Sequence, residues 1–178
     1  LTLHLLRHAS VEDGYIGRYN GHIDIALSEN GKKEAVLAAQ KLDGVCFDAV
    51  YCSDLLRCRQ SVEPFGFSSV IYDARLREKS WGRAEGMSFG EICDKFGIVY
   101  EDFESFVRSV GGEGLDEFAA RIDGFFEQLR LSDASSVLVV THGGVIRTLL
   151  AKLRGLSLEE AFCIDAPYAS ITIVEDFV

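Results

Sequence analysis

Two histidines stand where chemistry is easiest to arrange. His8 follows the apolar run 1–6 and Arg7, and His142 follows the β-branched run 136–140 and Thr141. An imidazole just past a buried strand faces a crevice, where it can serve as nucleophile, acid or base. Gly143 and Gly144 come next, letting a ligand approach the backbone closely, and then a helical stretch whose first N–H groups favour an anion. Arg7 and Arg57 bring planar guanidinium forks that match phosphate oxygens bidentately. Two imidazoles, two guanidiniums and a helix start describe a pocket for a phosphoryl group.

The elements that must position these groups alternate in period. Strand-length apolar runs lie at 1–6, 49–52, 69–72, 136–140 and 170–174. Helical patterns lie at 29–42, with Ser28 as N-cap and Ala35, Ala38, Ala39 and Leu42 on one face, and after Ser53-Asp54 up to Pro64. Ser88 and Glu91 have capping-box spacing, 115–131 carries Phe118, Ile122, Phe125, Phe126 and Leu129 on one side, and 145–153 is helical. The stretch GGEGLD reads as a flexible connection. Alternating strands and helices predict an α/β fold, three layers with a mostly parallel central sheet, in a single domain over 1–178. Such sheets bind ligands beyond the carboxyl ends of their strands. Three strand ends then deliver Arg7, His8, Arg57 and His142 to one edge.

Composition narrows the classes. The chain carries 18 Lys and Arg against 28 Asp and Glu, a formal charge of −10. Nucleic acid and anionic lipid are therefore disfavoured partners, and an anionic small molecule needs a local concentration of arginine. No apolar run approaches the roughly 18 residues of a membrane span, and LTLHLL has neither basic region nor cleavage site, so a soluble cytoplasmic protein is expected. The five cysteines include no C-x-x-C and suit reduced thiols. Cys58, between Arg57 and Arg59, is either an activated thiol or simply a small helix residue. His4 and His8 are four apart but lie on a strand and the loop after it, no H-x-x-x-H pair falls on a helix and no Cys/His cluster is present, so no metal is expected, and no nucleotide-binding glycine motif occurs.

Five stretches carry a family resemblance. LLRHAS, RYNGHIDIALSENGKKEA, YCSDLLRCRQS, LREKSWGRAEG and VVTHGGVIRTLL resemble, in order, the motifs of the histidine phosphatase (phosphoglycerate mutase-like) superfamily. The resemblance implies that His8 is the nucleophile that becomes phosphorylated, and that Arg7, Arg57 and a charged His142 hold the phosphoryl oxygens, with Gly143 beside them. It implies that Glu78 protonates the leaving alkoxide and then activates water. Glu85 is the rival acid in the same segment. No cofactor is implied. The partner is a phosphorylated small molecule.

Departures from the pattern are Ala9 for glycine, Ser10 and Gly14 where many members have glutamate and asparagine, and Ala26 for proline. Arg18 keeps its place and is a candidate substrate contact, while Arg59 and Arg147 are assigned to ion pairs or solvent. The short spacing from Arg57 to Glu78 favours a phosphatase over a mutase. Within the superfamily, SDLLRC, WGRAEGMSF, THGGVIRTLLAKLRGL and ASITIVED are most similar to α-ribazole-5′-phosphate phosphatases of cobalamin biosynthesis. A broad-specificity sugar phosphatase is the alternative. A silent ligand-binding member is disfavoured because His8, Glu78 and His142 are all present.

Overall fold

Each run takes the form its period favours. In the computed structural model, which describes residues 1–177, the chain runs β1 (Thr2–Arg7), α1 (Glu29–Lys41), β2 (Ala49–Cys52), α2 (Leu56–Val62), β3 (Ile71–Tyr72), α3 (Phe89–Phe96), α4 (Phe103–Ser109), α5 (Leu115–Arg130), β4 (Ser136–Thr141), α6 (Gly143–Leu153), α7 (Leu158–Ala161) and β5 (Ile171–Val174). The sheet order is β3-β2-β4-β1-β5. Every neighbouring pair is parallel except β1 with β5, which closes the edge antiparallel. The expected mostly parallel α/β/α fold is the one observed.

Strand alternation sorts the core into two layers. Leu3, Leu5, Val137 and Val139 pack with Ile122, Phe125, Phe126, Val145, Ile146 and Leu149 of α5 and α6. Leu6, Leu138 and Val140 face the other way, onto Ala38, Leu42, Cys58 and Val62 of α1 and α2. The central strands are covered on both faces, which is why they read as unbroken apolar runs. His4 sits among these residues against Phe47, ring centroids 5.1 Å apart. A third cluster, Ala84, Ile92, Phe106, Val107 and Val110 with Tyr19, Trp81 and Phe103 around it, joins α3 and α4 apart from the two sheet layers.

Several boundaries differ from the sequence reading. Pro64 does not end α2 directly; it lies in a 3-10 turn, Glu63–Phe65, that continues it. Helix α6 starts two residues early, at Gly143, because both glycines take helical backbone. Strand β3 is only Ile71–Tyr72. The GGEGLD connection is tied rather than free: the Gly112 N–H donates to Val107 O, the Glu113 N–H to Ser80 O, and the Glu113 carboxylate pairs with Arg121 at 2.7 Å. Helices α4 and α7 had no sequence expectation.

Two helical glycines predict opposite stability effects. A Cβ at Gly31, in the first turn of α1, would stand 1.9 Å from the Ser10 carbonyl oxygen, whereas one at Gly124 in α5 meets no heavy atom within 4 Å. Gly31→Ala should cost about 1–3 kcal/mol through overpacking. Gly124→Ala should gain about 0.5–1 kcal/mol through helix propensity. Urea unfolding of both variants checks the pair, and equal signs would contradict the close approach of α1 to the loop after β1.

Candidate active site

The register of β1 on β4 brings the two histidines together. Arg7 lies opposite Thr141, and the His8 N–H continues the ladder to Thr141 O at 2.9 Å. The His8 and His142 ring centroids are 5.1 Å apart. His8 Nδ1 lies 2.8 Å from the Ala9 carbonyl oxygen. A carbonyl only accepts, so Nδ1 carries the proton and Nε2 keeps its lone pair. The loop beyond is held by side chains: the Ala9 N–H donates to Ser61 Oγ at 2.9 Å, and the Ser10 N–H and hydroxyl donate to Glu34 at 2.9 and 3.0 Å. Ser10, a departure from the family pattern, is thus tied to α1.

Arg57 enters from α2 and is 1% exposed. Its guanidinium donates to Ile23 O at 2.9 Å, Gly21 O at 2.7 Å and Asn20 O at 3.3 Å. That loop is stapled in turn by Glu85, whose two oxygens accept from the N–H groups of Gly21, His22, Ile23 and Trp81 at 2.9–3.0 Å. Four backbone bonds make Glu85 a scaffold carboxylate in this geometry. Three of Arg57's five donors are used, leaving two for a ligand.

Glu78 is placed by the end of β4 and by α5. Thr141 Oγ1 donates to Leu76 O at 2.8 Å. Arg121 of α5 donates to the carbonyls of Arg75, Arg77 and Glu78 at 2.7, 2.8 and 3.3 Å. The Glu78 carboxylate accepts from the Gly144 N–H at 2.9 Å and from the Lys79 N–H at 3.0 Å. A Cβ at Gly144 would stand 2.1 Å from Glu78 Oε1, and one at Gly143 would lie 3.3 Å from the Arg7 guanidinium carbon. Each glycine therefore admits a different functional side chain.

These groups meet at a cavity of about 420 Å³ whose wall includes Arg7, His8, Arg18, Arg57, Glu78 and Gly144. That volume suits a small-molecule ligand. His142 and Gly143 lie behind this wall. His142 is fully buried, with Nε2 2.8 Å from Ser53 Oγ and 3.4 Å from Cys58 Sγ. Arg18 reaches the rim, where it pairs with Glu91 and donates to Gly86 O at 3.1 Å. Arg147, assigned from sequence to ion pairs or solvent, instead lines the cavity and donates to Ile164 O at 2.8 Å. Arg59 lies over Tyr72, 5.8 Å from the ring centroid.

Beyond Arg147, the wall residues that sequence reasoning missed include Tyr168, Lys79 and Asn20. Tyr168, from the loop before β5, stacks on Arg7 with the guanidinium carbon 4.0 Å from its ring centroid. Lys79 follows Glu78 and is 4% exposed. Asn20 carries a carbonyl that holds Arg57. The first arrives from a segment with no motif; the other two sit inside family motifs, but nothing in their spacing marks them.

Burial decides the ionisation of the site. It pushes both His8 and His142 well below the usual histidine range, with Arg57 the next cause for each. His8 is held in its neutral form. The charged His142 expected from sequence is not what this environment favours; its imidazole is neutral here. Burial likewise raises the Cys58 thiol to about 12 against the opposing pull of Arg57, so the activated-thiol option falls. Among the described residues no cluster of three or more His, Cys, Asp or Glu could hold a metal ion, and no helix is long and apolar enough to cross a membrane.

Residues 3–176 match the family model "Histidine phosphatase superfamily (branch 1)". The chain is 32% identical to "Phosphoserine phosphatase 1" of Hydrogenobacter thermophilus over 98% of this chain and 86% of that one. It is 29% identical to the adenosylcobalamin/alpha-ribazole phosphatase of Escherichia coli strain K12, covering 89% and 82%. The crystal structure of the alpha-ribazole phosphatase from Shigella flexneri superposes with a TM-score of 0.86 at 24% identity, covering 98% and 90%; that likeness is one of fold.

Two outcomes follow from this geometry. Both histidine pKa values are depressed in the folded state, so the stabilisation is present above about pH 6.5 and is lost as pH falls below the unfolded value. Each buried histidine should remove about 1 kcal/mol between pH 6.5 and 5.5, and His8→Gln should flatten the slope of a urea-denaturation series by that share. Gly144→Ala should leave folding intact yet displace the Glu78 carboxylate. Turnover of an alkyl phosphate should fall on the order of 100-fold, the cost of a misplaced catalytic group; unchanged turnover would separate Glu78 from the reaction.

Proposed function

Because the chain belongs to the histidine phosphatase superfamily and is a phosphatase, we propose that it hydrolyses phosphomonoesters through a phosphohistidine on His8, with α-ribazole 5′-phosphate as substrate. The observation that carries the mechanism is the Nδ1–H bond to Ala9 O, which leaves Nε2 free to attack in a cavity shared with Arg7, Arg57 and Glu78.

In the first displacement Nε2 forms a bond to phosphorus as the ester P–O bond breaks, and the departing oxygen takes a proton from Glu78. Arg7 and Arg57 offset the charge on the equatorial oxygens. The phosphorylated imidazole is cationic, and Arg7 and Arg57 face the negative charge of its phosphoryl oxygens. In the second displacement water attacks phosphorus, Glu78 accepts its proton, the P–N bond breaks and the electron pair returns to Nε2. Inorganic phosphate leaves. Arg18 at the rim and the N-terminal turn of α6, with Gly143 and Gly144, complete the proposed binding groups.

The substrate reading rests on the rest of the wall and on the likeness to α-ribazole phosphatases. Tyr19, Trp81, Phe89, Phe118, Phe162 and Tyr168 face the same cavity, and aromatic walls suit the flat base of a ribonucleotide-like ester. A second reading, broad specificity toward sugar phosphates and related esters, is favoured by the polar members of that wall, Asn20, Lys79 and Arg147.

Rapid-quench single turnovers test the mechanism, with chelator present throughout. The wild type should form a base-stable, acid-labile phospho-enzyme that His8→Ala lacks. Glu78→Gln should slow phosphorylation by an alkyl ester on the order of 10²–10⁴-fold and by an aryl ester far less, because a phenolate leaves with little help. An acid-stable adduct, or equal slowing for both esters, would refute the assigned roles. In steady state α-ribazole 5′-phosphate should exceed ribose 5-phosphate in kcat/KM by about 10-fold or more, as aromatic burial of the base predicts.

A further inference from the structure

Two cations of the cavity, Lys79 and Arg147, have no task in this mechanism, and Arg147 is held by Ile164 O. Lys79 is 4% exposed and lines the wall, yet its Nζ is buried with no hydrogen-bond partner. It lies over Trp81, 4.3 Å from the ring centroid, and 5.5 Å from that of Phe103. The rings attract the charge but accept none of its three N–H bonds in full.

The surrounding carboxylates are committed elsewhere. Glu113 pairs with Arg121 and accepts the Ser80 N–H at 3.1 Å; Glu104 accepts the Leu115 N–H at 3.3 Å; Glu78 holds Gly144. Glu117 is exposed. Among the described residues none of these carboxylates comes within salt-bridge distance of Nζ. Burial is the first cause that lowers the Lys79 ammonium, to about 8, and these four glutamates pull it back up. A buried ammonium without a partner is costly unless something enters to meet it.

We propose that Lys79 is a specificity-determining residue that reads the leaving group: its ammonium donates to an oxygen acceptor on the organic part of the substrate, a sugar hydroxyl or a carboxylate. The inference rests on the phosphatase reading above. Lys79 and Glu78 line one cavity, Nζ lies over Trp81 of its aromatic wall and within the field of the Glu78 carboxylate, and Glu78 serves the departing oxygen, so Nζ is assigned to the leaving-group side while the arginines hold the phosphoryl group. Phosphomonoesters whose alcohol carries a second oxygen function are then preferred over bare alkyl or aryl esters.

The test compares phenyl phosphate, ribose 5-phosphate and O-phosphoserine on the full chain and on Lys79→Met. The variant should keep kcat/KM for phenyl phosphate within about 3-fold while losing about 10–100-fold on ribose 5-phosphate, the worth of a charge-assisted hydrogen bond. Loss on phosphoserine instead keeps Lys79 as the reader and moves the substrate to the carboxylate class. Equal loss on all three esters, or loss on none, overturns the proposal. Lys79→Gln, a neutral donor, is the second variant should Lys79→Met not fold, and it should lie between the two. In the wild type the ratio of ribose 5-phosphate to phenyl phosphate should also fall above about pH 8, and in Lys79→Met it should be flat. Failure of the wild type to form a phosphohistidine would instead defeat the phosphatase mechanism, an outcome these ratios do not mimic.

Discussion

The parallel pairing of β1 with β4 is the constraint on which the site depends. It sets Arg7 against Thr141 and carries the ladder one step further, from the His8 N–H to Thr141 O. Strand periodicity is two, so a slip of one residue would turn Leu3 and Leu5 out of one core layer and Leu6 out of the other. The hydrophobic pattern thus fixes where the two imidazoles meet. Thr141 also holds Leu76, so the same strand end sets the segment that delivers Glu78. His8, His142 and Glu78 are all referenced to one six-residue strand.

A second frame, independent of the sheet, holds the charge of Arg57. A buried guanidinium must have its donors met, and the carbonyls of Asn20, Gly21 and Ile23 meet three. Those carbonyls converge because Glu85 gathers the N–H groups of the same loop from the other side. The Asn20–Gly21 and Gly21–His22 peptide groups each donate their N–H to Glu85 and turn their carbonyl oxygen toward the arginine. Neutralising Glu85 would loosen the loop and orphan the guanidinium together. This is why the Glu85 carboxylate, near Glu78 in sequence, is spent on backbone N–H groups in this geometry.

Legibility in the sequence followed the kind of signal each feature leaves. The five strands, α1, α5 and the convergence of Arg7, His8 and Arg57 were readable, because a strand covered on both faces must be apolar throughout and turn polar where it meets the crevice. Glu85 was visible as a carboxylate but not as a staple, since its role lies in four N–H groups that carry no residue identity. Tyr168 and Arg147 were not readable as wall residues. Each reaches the cavity through the path of a loop or the rotation of a helix, quantities a single sequence does not encode. Helix α4 did leave a signal, Phe103, Phe106, Val107 and Val110 at helical spacing behind the Asp102 cap that accepts the Ser105 N–H at 2.9 Å, but it spans barely two turns beside a glycine-rich connection. Cys58 shows one of two sequence options standing, the small helix residue. Two flanking arginines suggested a lowered thiol pKa, but only one of them faces the sulfur's surroundings, and desolvation outweighs it.

Net charge and local charge point in opposite directions, and the arrangement of acids reconciles them. A chain of formal charge −10 repels a phosphate dianion at long range, though salt screens that field within about 8–10 Å. Inside the cavity the field that meets the phosphoryl group comes from Arg7, Arg57 and Arg147, whose neighbours Glu78 and Glu85 spend their oxygens on backbone N–H groups. Arg18 at the rim is the exception, paired with the half-exposed Glu91. A dianion that displaces that pairing gains a further cation, while a neutral ligand does not. Burying so many cations with few direct counter-ions lowers the stability of the fold and pushes the histidines toward neutrality. The same strain leaves a neutral nucleophile among positive groups, the combination that attack on a phosphoryl dianion requires.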